Sequence, residues 1–194
     1  MKQDSLTRYI LRITLVLLSI AVVVAGLLAV VNRITAPVIS AATETKTQAA
    51  IEQVLPGGYE VELTDFLDET GLVSKVYKGK NGYALEVNPI GFDNTICMMV
   101  GVDTEGTVSG ISVISHTESA GLGAVAASGN SAGQAFREQF VGASGSVSVS
   151  KDGGQIDAIT NATITSRAVC DGVNAALACV AGLGGAKCTS KNNF

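Results

Sequence analysis

Four hydroxyl side chains fall within seven positions of the stretch Asp157-Ala158-Ile159-Thr160-Asn161-Ala162-Thr163-Ile164-Thr165-Ser166, where a turn runs into a helix. Thr and Ser side chains at such a junction cap free backbone N–H groups. The partial positive charge at a helix N-terminus also favours an anion, so a phosphate fits the same place. Local physics leaves two readings open, a phosphate-bearing ligand or plain capping. The remaining reactive residues give no competing chemistry. His116 is the only histidine, and it reads as a loop-shaping hydrogen-bond partner. Cys170, Cys179 and Cys188 are nine residues apart. On one helix that step turns about 900° and puts neighbours on opposite faces, so they cannot share a metal ion. A Cys179–Cys188 disulfide and buried free thiols both remain open. Cys97, in the apolar run Ile96-Cys97-Met98-Met99, reads as core. No metal site and no acid/base catalytic residue is expected.

The string from Asp157 to Ser166 resembles the flavinylation motif Asp-x-x-Ser/Thr-Gly-Ala-Thr. That motif marks the FMN-binding domains of the G subunit of the Rnf complex and of the C subunit of the Na⁺-pumping NADH:quinone reductase. A second string, His116-Thr117-Glu118-Ser119-Ala120-Gly121-Leu122-Gly123, resembles the family's His-x-Glu-Thr-Pro-Gly-Leu-Gly loop near the flavin. The resemblance implies covalent FMN, joined through a phosphoester to Thr163 by a separate flavin transferase. Thr163 is then a modification site and not a nucleophile with its own base. Thr160 and Thr165 are expected to hydrogen-bond the phosphodiester, Ala162 to keep the backbone close, and Glu118 and Leu122 to lie along the ring. Asn161 stands where the family has Gly, and Asn best tolerates a left-handed backbone. Asp157 is expected to fix the turn by accepting backbone N–H bonds, or to be recognised by the transferase. Ser119-Ala120 replaces the family's Thr-Pro. The implied role is electron relay in a membrane-bound, ion-translocating ferredoxin:NAD oxidoreductase, alongside other membrane subunits. The C subunit of the quinone reductase is usually longer than this chain. A tethered scaffold domain without cofactor is the alternative from another class.

These residues need an anchor and a scaffold. Of 194 residues, 47% are hydrophobic and only 15% charged, which excludes disorder and points to a membrane. Ile13 to Val31 is a run of 19 residues without a charge, long enough as a helix to cross a hydrocarbon core of roughly 30 Å. Lys2, Arg8 and Arg12 precede it against Asp4, so the positive-inside rule places the N-terminus in the cytoplasm and the rest outside. Residues 34–194 hold 9 basic and 16 acidic side chains, net −7, which excludes nucleic acid as a partner.

The expected domains are a cytoplasmic tail (1–12), a transmembrane helix (13–35), a stalk with a first helix (36–58) and an extracytoplasmic FMN-binding domain (59–194). Pro37 is expected to break or kink the membrane helix, and Thr43–Leu55 to form the first packed helix before Pro56-Gly57-Gly58. Short β-rich runs follow at Tyr59–Leu63, Val73–Tyr77, Tyr83–Val87, Thr95–Asp103 and Thr107–Ile114, with turns at Lys80-Asn81-Gly82 and Glu105-Gly106. Their close succession predicts a mainly antiparallel sheet, with a further short strand at Ser146–Val149. Helices over Ser131–Val141 and Ser166–Val180 can cover one face, the second through a stripe of Val169, Val173, Ala176, Leu177 and Val180. The fold class is α+β.

Overall fold

A computed structural model describes residues 3–185 of the chain. Cys188 lies outside them. The chain divides into two compact units between Thr45 and Lys46. The first is helical throughout. Helix α1 spans Gln3–Val54, so residues 3–12 are helical. From Arg8 on, α1 is apolar and long enough to cross a membrane, and its most apolar window has a mean hydropathy of 2.9 with no part buried. Such all-round apolar exposure suits a lipid solvent and not water. Pro37 lies inside the helix without ending it, so of the expected break or kink the break does not occur. Proline removes one backbone donor, and hydroxyls on either side bond the neighbouring carbonyls. Thr35 donates to Val31 O (2.8 Å) and Ser40 to Pro37 O (3.0 Å).

In the second unit, β1 (Val61–Leu63), β2 (Val73–Lys78), β3 (Gly82–Val87), β4 (Cys97–Asp103) and β5 (Val108–Ser115) form one antiparallel meander in chain order. The β4–β5 turn is closed by the Asp103 carboxylate, which accepts from the amides of Glu105 (2.9 Å) and Thr107 (2.8 Å), and Gly106 takes a left-handed φ of 80°. Registers such as Leu85↔Val100 and Val100↔Ile111 align the central strands. Because side chains alternate across a strand, each face gathers its own core. On one face Val76, Leu85, Val87, Met98 and Val100 pack with α3 (Thr163–Gly185) and with Phe136 and Phe140. On the other face Tyr77, Ala84, Met99 and Ile114 receive Ala50, Ile51 and Val54 from the last turns of α1 and Leu55 just beyond it. Each such buried Val, Leu, Ile, Met or Phe side chain contributes roughly 1.5–3 kcal/mol. A methyl group at Gly101 would collide with Val54 O, so this glycine permits the close approach.

Helix α2 (Ser131–Glu138) is capped by Asn130, whose Oδ1 accepts from Gly133 N at 2.8 Å. It ends three residues before the expected Val141, in a turn closed by Phe140 N to Arg137 O and Val141 N to Glu138 O. The strand expected at Ser146–Val149 is absent. Here the side chain of Asn174 on α3 holds Val147, accepting from Val147 N (2.7 Å) and donating to Val147 O (2.8 Å), and Val149 makes only an isolated parallel bridge with Ile156. Helix α3 begins at Thr163, three residues earlier than expected, and buries all five residues of its stripe. At Gly172 an added methyl would meet Met98 and Pro89, which shows how closely the helix lies on β4.

Candidate functional site

The turn leading into α3 is built by its own hydroxyls. Ser166 is fully buried. Its Oγ accepts from Ile159 N (3.0 Å) and donates to Ala162 O (2.9 Å), while Ala162 N bonds back to Ile159 O at 3.0 Å. Asn161 takes φ = 60° and is the one non-glycine residue with positive φ among those described. Ala162 accepts the first helical bond, from Ser166 N, yet has no side-chain oxygen to cap the amides that follow. The Asp157 carboxylate accepts no backbone N–H bond among the described residues, so it does not fix the turn in that way. It is exposed, and Gln139 pins the backbone there, accepting from Asp157 N at 2.7 Å and donating to Asp157 O at 3.3 Å.

The second string reaches the same place from the end of β5. Glu118 is 7% exposed, and both its oxygens are used. Oε1 accepts from the amides of Phe92 (2.8 Å) and Asp93 (3.3 Å), and Oε2 accepts from Thr165 Oγ1 at 2.6 Å. A methyl group on Gly91 or Gly123 would collide with this carboxylate, so the two glycines make room for it. His116, expected to shape the loop by a hydrogen bond, has a buried Nδ1 without a partner among the described residues. The loop is tied instead by Ser119 O, which accepts from Leu122 N and Ala124 N, both at 3.2 Å.

Between the two segments opens a cavity of about 330 Å³, lined by Glu118, Leu122, Asn161, Ala162, Thr163 and Thr165, with Phe92, Lys151 and Ile164 at its edge. That volume lies at the small end of ligand pockets. A larger cavity of about 720 Å³, beside Tyr83, Asn174 and Leu177, contains neither segment. Six of the seven site residues expected from sequence line the smaller one. Thr160 does not. It is exposed and lines a separate depression with Gly121 and Val125.

Two features of the site were not read from sequence. Phe92 (67% exposed) and Ile164 (50%) join the expected Leu122 (40%) in an apolar rim. Lys151, in a 3-10 turn over Ser150–Asp152, donates from Nζ to Thr163 Oγ1 at 3.1 Å. The adjoining Asp152 pairs in bidentate fashion with Arg167, both contacts at 2.7 Å, and this hydrogen bonding holds the Asp152 carboxyl below its ordinary range. The donor set suits a phosphorylated flavin: a half-exposed hydroxyl, an ammonium, uncapped helix amides and an apolar rim. No cluster of metal ligands occurs among the described residues. Cys170 and Cys179 are buried free thiols, and burial pushes Cys170 up to about 12. Cys97 is half-buried at the start of β4, less enclosed than its apolar run suggests, and burial raises it to about 11.

Comparison with known proteins identifies relatives along most of the chain. Residues 91–178 match the model of the FMN-binding domain, and residues 1–54 match that of the RnfG N-terminal region. The G subunit of the Na⁺-translocating ferredoxin:NAD⁺ oxidoreductase complex of Acetobacterium woodii is 30% identical over 188 residues, covering 86% of this chain and 89% of the relative. The G subunit of the ion-translocating oxidoreductase complex of Pseudomonas aeruginosa is 31% identical, covering 88% of each. Its counterpart in Methanosarcina acetivorans is 29% identical, covering 88% of this chain and 94% of the relative. With its apolar N-terminal helix and FMN-binding domain, the chain belongs to the family of G subunits of Rnf ion-translocating oxidoreductase complexes.

Proposed function

We propose that this chain holds a single FMN through a phosphoester on Thr163 and relays electrons on the outer face of the membrane. Family membership makes it an electron-transfer subunit of a redox-driven ion translocase. The attachment residue is argued from the site. One observation carries it: of the hydroxyls in the motif, Thr163 alone is both accessible and turned to the cavity. Thr165 and Ser166 are buried and committed to Glu118 and to the turn, and Thr160 faces elsewhere.

When bound, the flavin supplies the redox chemistry, and the protein supplies position and surroundings. Asn161 folds the turn back so that Thr163 stands on the first turn of α3, where the uncapped amides offset phosphate charge. Phe92, Leu122 and Ile164 offer apolar contact to a ring system. Glu118 keeps Thr165, and with it the start of α3, fixed against the 91–93 segment. Outside the cytoplasm a covalent link keeps the site filled whatever its affinity for free flavin. The basic residues Lys2, Arg8 and Arg12 before the apolar run support the orientation with the N-terminus inside. Maturation calls for a flavin transferase, and function calls for the other membrane subunits of the complex.

The intact mass of the full chain, isolated from membranes that contain the transferase, tests the reading. The expected result is one FMN phosphoester increment, localised to Thr163 by peptide mapping. An unmodified chain, or the increment on another residue, would overturn it.

A further inference from the structure

We propose that Lys151 is the positioning residue for flavin attachment, holding the Thr163 hydroxyl for transfer and then countering the charge of the finished phosphodiester. The inference rests on the assignment of Thr163 as acceptor and adds to it a group twelve residues away in sequence. Two contacts align side by side. Lys151 Nζ meets Thr163 Oγ1 at 3.1 Å, and the next residue, Asp152, grips Arg167 one helical turn beyond Thr163. Residues four apart share a helix face, so the 3-10 turn Ser150–Asp152 is braced along that face of α3. The Asp152–Arg167 pair fixes the turn, and the turn fixes Lys151.

The chemistry follows from the direction of the hydrogen bond. Lys151 donates to the Thr163 oxygen, so the hydroxyl keeps its own proton for removal. In the transfer, the Thr163 Oγ–P bond forms as the P–O bond of the FAD pyrophosphate breaks. AMP leaves, and the hydroxyl proton passes to the transferase or to water. A nearby ammonium stabilises negative charge gathering on Oγ and on the phosphoryl oxygens. Afterwards it faces a permanent anionic diester. Lys151 is exposed and lies outside the buried core, so its replacement leaves folding intact.

The test uses the full chain in detergent with FAD and the flavin transferase, following covalent flavin with time by in-gel fluorescence and intact mass. Lys151→Met is expected to slow transfer by about tenfold or more. Lys151→Arg should restore most of the rate, which a purely structural role would not require. Arg167→Gln, which leaves Lys151 intact but frees its turn, should fall between them. Wild-type rates in Lys151→Met, or equal losses in Lys151→Met and Lys151→Arg, overturn the proposal. Thr163→Ala runs in parallel. If it still gains flavin, the acceptor assignment itself fails; if it gains none while Lys151→Met reacts normally, only the role of Lys151 fails.

Discussion

The turn at 157–166 and the loop at 116–123 line one cavity, yet they treat their polar groups in opposite ways. The turn leaves Thr163 half-exposed, with a hydroxyl that accepts from Lys151 and has no protein acceptor for its own proton among the described residues. The loop buries Glu118 and pairs both of its oxygens with protein donors. A carboxylate satisfied in this way holds structure, because a change that strands its partners is costly. A hydroxyl left with a free proton at a cavity is open to chemistry. On the proposed reading, one motif segment offers the reactive group and the other braces the helix that carries it.

The sharpest way to break this contrast is Thr163→Ala. We expect covalent flavin to vanish from a denaturing gel while the melting temperature stays within about 2 °C, since an accessible threonine contributes little to the fold. Glu118→Ala should do the reverse. It strands Thr165 Oγ1 and the amides of Phe92 and Asp93, at a cost of roughly 3 kcal/mol, so a thermal melt should fall by about 6–12 °C. An unchanged melt would remove Glu118 from its bracing role.

A smaller effect comes from the backbone of the turn. Asn161→Val forces a β-branched residue to φ near 60° and should cost about 1–2 kcal/mol in denaturant unfolding, whereas Asn161→Gly should remain close to wild type and keep its flavin. Smallest is a pH effect. Asp152 titrates below the ordinary carboxylate value because of Arg167, so its contribution is present above about pH 4 and is lost as pH falls through its depressed folded value. Melts of wild type and Asp152→Asn should therefore differ slightly at neutral pH and converge in acid. A constant gap would remove the ion pair as the cause.

Several elements are legible because their signals are local. The uncharged run Ile13–Val31 declares an apolar helix, and the β-rich runs Val73–Tyr77 and Thr107–Ile114, set between turn signals, declare strands. Asn161 likewise announces a left-handed turn. The misreadings have a common cause. Ser146–Val149 has strand-like residues, but Val147 is held by one side chain, Asn174, twenty-seven positions away, and Val149 makes only an isolated bridge with Ile156. Thr160 and Thr165 are equivalent as letters in a motif, yet the turn exposes the first away from the cavity and helix phase buries the second. The start of α3 reads late because Ala162, where a capping hydroxyl is the usual signal, has none.

The sequence by itself determined the elements and the chemical alphabet: an apolar helix, an antiparallel α+β domain, and a hydroxyl cluster at a helix start. These depend on periodicity and on the conformational preferences of single residues, which act over a few positions. Only the tertiary structure decided which hydroxyl remains available and what surrounds it. Glu118 finds Thr165 across forty-seven residues, and Lys151 finds Thr163 across twelve. Such meetings follow from how the sheet, loop and helix pack together, and no short-range preference encodes them.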